Sequence, residues 1–437
     1  MNPVKVGLLG LGTVGGGTLN VLTRNADEIA RRAGRGIHIT HAAAKQYDPS
    51  KLIGLENVEV TDDAFAVVDN PELDIIIELI GGYTPARELV MRAIENGKHV
   101  VTANKALIAM HGNEIFDAAQ QKGVVVAFEA AVAGGIPIIK AVREGLAANH
   151  IEWIAGIING TGNFILTEMR DKGREFTDVL KEAQALGYAE ADPTFDVEGI
   201  DAAHKLTILG SIAFGIPLQF EKTYTEGITK IEPQDVEYAD QFGYRIKHLG
   251  ITRKTEAGIE MRVHPTMIPR RRLIANVDGV MNAVLVKGDA VGPTLYYGAG
   301  AGSEPTASAV VADVVDAVRM LTTDPENRVP HLAFQPGKLV DLAILPIEEV
   351  ETTFYLRMQV VDKPGVVARI ASILAESHIS IEAIQQKEPN EGDNTVPLVM
   401  LTQKVIEKQL DKAIAEIEQL ETVFGQVMRI RVERLDG

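Results

Sequence analysis

Over the first 130 positions, short apolar runs alternate with stretches of helical periodicity. Val4–Leu9 leads into a glycine cluster, and 18–33 has the spacing of an amphipathic helix. Runs at 37–44, 73–80, 98–102 and 124–128 follow, each β-branched or apolar and bounded by Gly, Pro or Asp. Continuous apolar strands separated by helices mark a parallel sheet covered on both faces. The pattern therefore predicts a doubly wound α/β domain over residues 1–130.

From about residue 131 the periodicity changes. Predicted helices at 138–148, 177–185 and Ile200–Phe214 mix with longer strands, and Asp278-Gly279 and Lys287-Gly288-Asp289 carry hairpin-turn signals. An α+β domain with a mixed sheet is expected over 131–302. A glycine-rich turn at 298–302 precedes a helical stretch at 306–321, which is expected to return to the first domain and complete it with residues about 303–325. The proline-bearing segment 322–350 reads as a connection, with 326–350 as the linker proper. In the final segment Phe354, Leu356, Met358 and Val360 alternate with Tyr355, Arg357 and Gln359, as a half-buried strand requires. Val366, Ile370, Ile373 and Leu374 share one helical face. Two strands joined by a polar loop at 389–394, a helix at 405–420 and a last strand, Val423–Val432, complete βαββαβ over 351–437.

At 437 residues, three domains are a natural division. Lys and Arg total 43 against 60 Asp and Glu, a formal net charge of −17 that argues against a nucleic-acid partner. Cysteine is absent, which excludes disulfides, thiolate zinc sites, iron–sulfur clusters and a thiol nucleophile. Apolar runs such as 75–77, followed at once by Glu78, are far too short for a membrane span, and the amino terminus lacks the pattern of a secretory signal. A cytoplasmic location away from membranes is expected.

Candidate chemistry begins at Gly10-Leu11-Gly12-Thr13-Val14-Gly15, a GxGxxG that follows a predicted strand and opens a helix. The glycines permit a tight turn and close backbone approach, so that a pyrophosphate sits on the helix N-terminus, as in Rossmann-like domains. The second strand ends at Ala42-Ala43-Ala44-Lys45, without the acid that usually binds an NAD ribose. Lys45 suits the 2′-phosphate of NADP as a point charge, and equally a solvated surface position. No HExxH is present to hold zinc. Tyr47 and Lys51 form a YxxxK, but Pro49 between them places it in a loop, where the spacing has no catalytic meaning. Lysines and carboxylates remain as acid–base groups. Lys105 lies just past a strand's carboxyl end, where α/β sheets bind ligands. Glu190, Asp192, Asp196, Glu198, Asp201 and Lys205 crowd one short segment. On a helix Asp201 and Lys205 stand one turn apart, which serves either an oriented lysine or an ordinary i,i+4 ion pair.

Four motifs carry a resemblance. Asn159-Gly160-Thr161-Gly162-Asn163-Phe164-Ile165, the run 187–209, Thr102-Ala103-Asn104-Lys105-Ala106-Leu107, and Gly300-Ala301-Gly302 with Pro305-Thr306-Ala307-Ser308-Ala309 resemble homoserine dehydrogenases. The tail with Asp362-Lys363-Pro364-Gly365-Val366 resembles an ACT domain, a small amino-acid-sensing module. The resemblance implies interconversion of L-homoserine and L-aspartate 4-semialdehyde with NADP or NAD, in the route to threonine, methionine and isoleucine. It makes 131–302 the homoserine-binding, catalytic and dimerisation domain. By position it assigns Lys205 as proton donor and Lys105 as the second lysine, near cofactor and substrate. Asp201 would hold Lys205, and Glu190, Asp196 and Asp201 would form the substrate-binding set, with Glu190 on the ammonium group. Thr13, Val14, Gly187 and Gly302 would line the cofactor together with Gly10, Gly12, Gly15, Lys45 and Lys105. Glu129, Val132, Gly134 and Ile136 would hold a monovalent cation, sodium, largely through backbone carbonyls. L-Threonine is the implied effector, and a homodimer or homotetramer the implied assembly. Ala299 and Ser303 replace a proline and a glycine common in the family, and Lys45 stands where many relatives carry arginine, without arginine's bidentate fork. Two further readings stay open at this stage: another NAD(P)-dependent dehydrogenase of a small amino or hydroxy acid, and a non-catalytic amino-acid sensor.

Overall fold

The computed structural model describes residues 2–335, 337–387 and 394–436. The chain forms two compact units. One comprises residues 1–160, 201–223 and 280–342; the other comprises 161–200, 224–279 and 343–437. These units cut across the boundaries expected from the sequence, because contacts rather than chain order define them.

The first unit is built on six strands: β1 (Val4–Leu9), β2 (Ile37–Ala43), β3 (Glu59–Thr61), β4 (Ile75–Glu78), β5 (His99–Thr102) and β6 (Val126–Ala127). All pair in parallel in the order β3-β2-β1-β4-β5-β6, the doubly wound arrangement. Both faces are covered, which is why Ile75, Ile76 and Ile77 are apolar in succession and all fully buried. On one face, Leu19 and Leu22 of α1 (Thr13–Arg24) and Val310 and Val314 of α4 (Ser303–Met320) share a core with Val6, Leu8, Ile75 and Ile77. The late helix thus packs on the first sheet. Helices α2 (Lys105–Lys122) and α3 (Ile200–Phe214) belong to the same unit, the latter from Asp201 onward. The helix expected over 18–33 is two, α1 and Ala26–Ala33, broken at Asn25 with φ −106° and ψ 19°. The helix expected over 138–148 is a single α-turn, Ile138–Lys140, continued by a π-turn, Ala141–Gly145.

Strand β7 (Ile151–Ile157) pairs antiparallel with Met281–Gly288, which in turn forms a hairpin with Gly292–Ala299. The Lys287-Gly288-Asp289 signal therefore marks a hairpin, whereas Asp278-Gly279 does not. The Asp278 carboxylate is instead engaged by Arg170 Nη1 at 2.8 Å and Lys247 Nζ at 3.1 Å, within the second unit.

In the second unit β8 (Tyr244–Lys254) and β9 (Ile259–Pro269) form a long antiparallel hairpin. The carboxy-terminal βαββαβ is present as β10 (Glu351–Val361), α5 (Val366–Glu376), β11 (Ile381–Gln386), β12 (Thr395–Thr402), α6 (Glu407–Ile417) and β13 (Val423–Val432). The polar loop expected at 389–394 lies, apart from Asn394, outside the described residues. Its sheet runs β13-β10-β12-β11, and α5 and α6 pack their apolar faces on it. This module is not free-standing. Strand β13 also pairs in parallel with β9, through Thr266 with Arg431 and Met267 with Val432. Buried ions line the seam: the Arg431 guanidinium meets Glu407 and Glu226, and Arg262 meets Glu260 and Glu433. Among the described residues no helix is long and apolar enough to cross a membrane.

Candidate active site

Three loops at the carboxyl ends of neighbouring strands build one rim of the first unit. After β1 the chain turns at Gly10, φ +97°, where a Cβ would lie 2.7 Å from the Leu79 carbonyl of the loop after β4. A Cβ at Gly15 would fall 1.9 Å from the Gly10 carbonyl, so only glycine closes this turn. At Gly12, the N-cap of α1, a Cβ would meet nothing within 4 Å, and no side chain caps the helix. Thr13, next along the first turn of the helix, is exposed, while Val14 is half-buried against the core. The N-terminus of α4 joins it: Gly302, φ +123°, caps α4, and Ser303 Oγ donates to the Thr13 carbonyl at 2.8 Å. Gly17 makes that approach possible, since a Cβ there would be 2.4 Å from Ser303 Oγ. Arg24 and Glu304 lock the two helices with paired bonds of 2.7 and 3.0 Å. An uncapped helix start flanked by bare backbone suits the pyrophosphate of a dinucleotide. Lys45 is exposed, two residues past the end of β2.

The loops after β4 and β5 are tied by a buried network that the sequence reading did not single out. Glu78, the last residue of β4, accepts from the Ile80 and Gly81 amides through one carboxylate oxygen, at 2.9 Å each. Its other oxygen accepts from Thr102 Oγ1 at 2.7 Å, at the end of β5. Thr102 Oγ1 accepts from the Asn104 amide, and Asn104 caps α2 by accepting from the Leu107 amide while donating to the Gly82 carbonyl at 2.6 Å. Lys105 is the first residue of α2.

Lys105 reaches Asp201 at the start of α3, and the site assembles there. Lys105 Nζ lies 3.0 Å from one Asp201 oxygen; Lys205 Nζ lies 2.7 Å from the other and donates to the Ile158 carbonyl at 2.7 Å. Asn159 Nδ2, beyond the end of β7, donates to the same Asp201 oxygen as Lys205, at 2.9 Å. Nearly all of α3 is buried, so Asp201 and Lys205 are not a surface ion pair: their side chains are 9% and 10% exposed. Burial opposes ionisation of Asp201, but the charges of Lys205 and Lys105 outweigh it and hold the carboxyl well below the usual range. One carboxylate between two ammonium groups leaves the cluster with net positive charge. One helical turn from Asp201, burial pushes His204 down to about 4, and its ring stacks on Phe220.

The expected cation-binding residues lie in the same unit. Glu129 is buried, and its carboxylate accepts from the Ile139 and Lys140 amides at 2.8 Å each. Ala133 and Gly134 are successive left-handed residues, φ 55° and 46°, in the turn to Ile136. Within this segment the Glu129 carbonyl accepts from the Val132 amide at 3.4 Å and the Ile136 carbonyl from the Ile138 amide at 2.8 Å. Among the described residues no cluster of three or more His, Asp or Glu forms a divalent-metal site. Gly187, Glu190 and Asp196 belong to the second unit. Gly187, φ +76°, follows the helix Phe176–Ala185; Glu190 is exposed; Asp196 is half-buried in the short helix Thr194–Val197. Of the residues the sequence reading missed, Glu78 carried a signal: an acid ending a run of buried isoleucines. Asn159 sat in a quoted motif without a role.

Residues 10–129 match the family model described as homoserine dehydrogenase, NAD binding domain; residues 137–315 match homoserine dehydrogenase, and 354–422 match the ACT domain. The chain is 69% identical over 436 residues to a homoserine dehydrogenase of Pseudomonas aeruginosa, covering 100% of both. It is similar to the crystal structure of a homoserine dehydrogenase from Thiobacillus denitrificans at 67% identity, with a TM-score of 0.95, covering 100% of this chain and 99% of that one. A hyperthermophilic archaeal homoserine dehydrogenase in complex with NADPH matches 72% of this chain and 97% of its own length, at 26% identity and a TM-score of 0.61. With its NAD-binding, catalytic and ACT segments in that order, the chain belongs to the homoserine dehydrogenase family of oxidoreductases.

Proposed function

We propose that the chain interconverts L-homoserine and L-aspartate 4-semialdehyde with NADP or NAD, in the route to threonine, methionine and isoleucine. The observation that carries this reading is the Asp201 carboxylate set between Lys105 and Lys205. A nicotinamide bound along the rim supplies the hydride for reduction, or accepts it in oxidation. Hydride addition to an aldehyde puts negative charge on its oxygen, and the net positive cluster stabilises that charge. Lys205 donates the proton to that oxygen, Asp201 and the Ile158 carbonyl fix its direction, and Lys105 adds a second cation beside the reacting group. Glu190, with Asp196, takes the ammonium group of the amino-acid substrate. Gly187 joins Gly10, Gly12, Thr13, Val14, Gly15 and Gly302 along the cofactor. The archaeal relative bound to NADPH and the exposed Lys45 favour NADP.

In this reading, sodium is held by carbonyls of Glu129, Val132, Gly134 and Ile136 and stiffens the turn before 138–145. The ACT module takes L-threonine as feedback inhibitor, the enzyme works in the cytoplasm, and it assembles as a homodimer or homotetramer. The test is homoserine oxidation followed at 340 nm with NAD and NADP in parallel, with and without L-threonine, in sodium and in choline buffers. Homoserine-dependent reduction that is lost in Lys205→Ala supports the reading. Folded wild-type protein that reduces neither cofactor would refute it.

A further inference from the structure

The carboxylate of Glu78 has no place in the hydride or proton transfer, yet it is fully buried at the heart of the rim. Strands β4 and β5 bring it beside Thr102, its register partner. From there a closed ring of hydrogen bonds runs through Glu78, Thr102 Oγ1, the Asn104 amide, Asn104 Nδ2 and the Gly82 carbonyl, and returns through the Gly81 and Ile80 amides to Glu78. Every donor in this ring has its acceptor within 3.0 Å. Two features bear on the role of the ring. Gly81 and Gly82 are successive left-handed residues, φ 82° and 70°, at which a Cβ would meet nothing within 4 Å, so this backbone borders open space. It also abuts the dinucleotide turn, where Gly10 meets the Leu79 carbonyl. On its other side the ring ends at Asn104, whose side chain caps the helix that starts at Lys105.

We propose that Glu78 and Thr102 are positioning residues, which hold Lys105 at its reacting distance. The inference rests on the catalytic role proposed for Lys105. Only a carboxylate fits the ring. Glu78 must accept three hydrogen bonds at once, and the amide of glutamine offers one oxygen and a donor in place of the second. Thr102 must donate to Glu78 and accept from Asn104 together, which valine cannot do at the same shape.

The test is a double-mutant cycle between Thr102→Val and Lys105→Ala, read as kcat, homoserine KM, cofactor Kd and Tm. Misplacing a reacting group by about 1 Å costs on the order of 100-fold. Thr102→Val should therefore lower kcat by about 10- to 100-fold in the wild-type background, and Thr102→Ser should recover most of it. In the Lys105→Ala background the same change should lower kcat by less than about twofold, because the residue it positions is gone. Asn104→Ser keeps a helix cap but loses the Gly82 bond, and should repeat the loss if Thr102→Val fails to fold. An equal loss with and without Lys105, or an unchanged kcat in folded Thr102→Val, would overturn the proposal. Full activity of Lys105→Ala itself would instead overturn the site assignment beneath it, and the two failures are thereby told apart.

Discussion

Asp201→Asn separates the two lysine pairs by magnitude. Across 2.7 Å, opposite unit charges attract by about 6 kcal/mol at an effective dielectric of about 20, before desolvation is subtracted. Removing one partner of a buried pair costs about 3–5 kcal/mol in practice. The Lys205 pair falls in this class, with both side chains at most 10% exposed. The Lys105 pair does not: its distance is similar, 3.0 Å, but Lys105 is 40% exposed. Solvent screens it, and it contributes about 1 kcal/mol or less. Asparagine keeps one acceptor oxygen, so the expected loss in Asp201→Asn is near the lower bound, about 3 kcal/mol. For a unit of this size that is a fall in Tm of about 6–12 °C. Lys105→Ala should leave Tm within about 3 °C.

Activity should follow a different order. Loss of an oriented proton donor costs about 10²–10⁴ in rate, and loss of one group that stabilises the developing charge about 10²–10³. Asp201→Asn and Lys105→Ala should therefore both lose at least about 100-fold in kcat, although only the first is destabilised. Thermal melts beside initial-rate kinetics in both directions measure this. If Asp201→Asn melts early but keeps kcat within about twofold, the carboxylate is structural and the mechanism is wrong. If Lys105→Ala loses as much Tm as Asp201→Asn, the screening argument is wrong.

Three other outcomes follow from the same structure. Gly12→Ala should fold with native Tm yet weaken dinucleotide binding by at least about tenfold, measured by quenching or enhancement of cofactor fluorescence, because its Cβ enters open space on the cradle; Gly15→Ala should destabilise the fold as well, since its Cβ collides with the Gly10 carbonyl. His99, pushed down to about 4, and His331, pushed down to about 3, both by burial first, accept from the amides of Val125 and Val126 at the edge strand β6. Their native pKa values lie below the unfolded value near 6.5, so their stabilisation is complete above that pH and is lost as pH falls toward 4; for His99 alone this is of order 3 kcal/mol. A Tm that stays flat from pH 7 to pH 4.5 would contradict it. Replacing Glu407 by alanine should destabilise the second unit by about 3–5 kcal/mol in thermal melts, because Arg431, 0% exposed, would lose a buried counter-charge.

What the sequence made legible was local, and what it hid was long-range. The glycine turn, the strands β1, β2, β4, β5 and β6 and the βαββαβ tail follow from periodicities of two and 3.6 residues, which neighbouring residues alone determine, whereas the three-residue edge strand β3 is too short to show one. The pairing of Asp201 with Lys205 was also legible, being one helical turn. Its meaning was not: the same i,i+4 spacing describes a surface ion pair, and only the burial of α3 distinguishes them. Lys105 joins from almost a hundred residues away, and Ile158 and Asn159 from a strand end that periodicity cannot bring near α3. The tail shows the same limit at larger scale. Its own pattern describes a separate module, yet Thr266 and Met267 pair with Arg431 and Val432, and Arg262 shares ions with Glu433. An arginine at 431 and a glutamate at 433, read in one dimension, are polar positions at the end of a strand; in the fold they are buried beside β9. A module joined in this way has its last strand in register with the hairpin of the second unit. Any effector-induced shift of β13 must then either strain that register or carry β9 with it, because a one-residue slip would turn Arg431 out of its pocket of carboxylates.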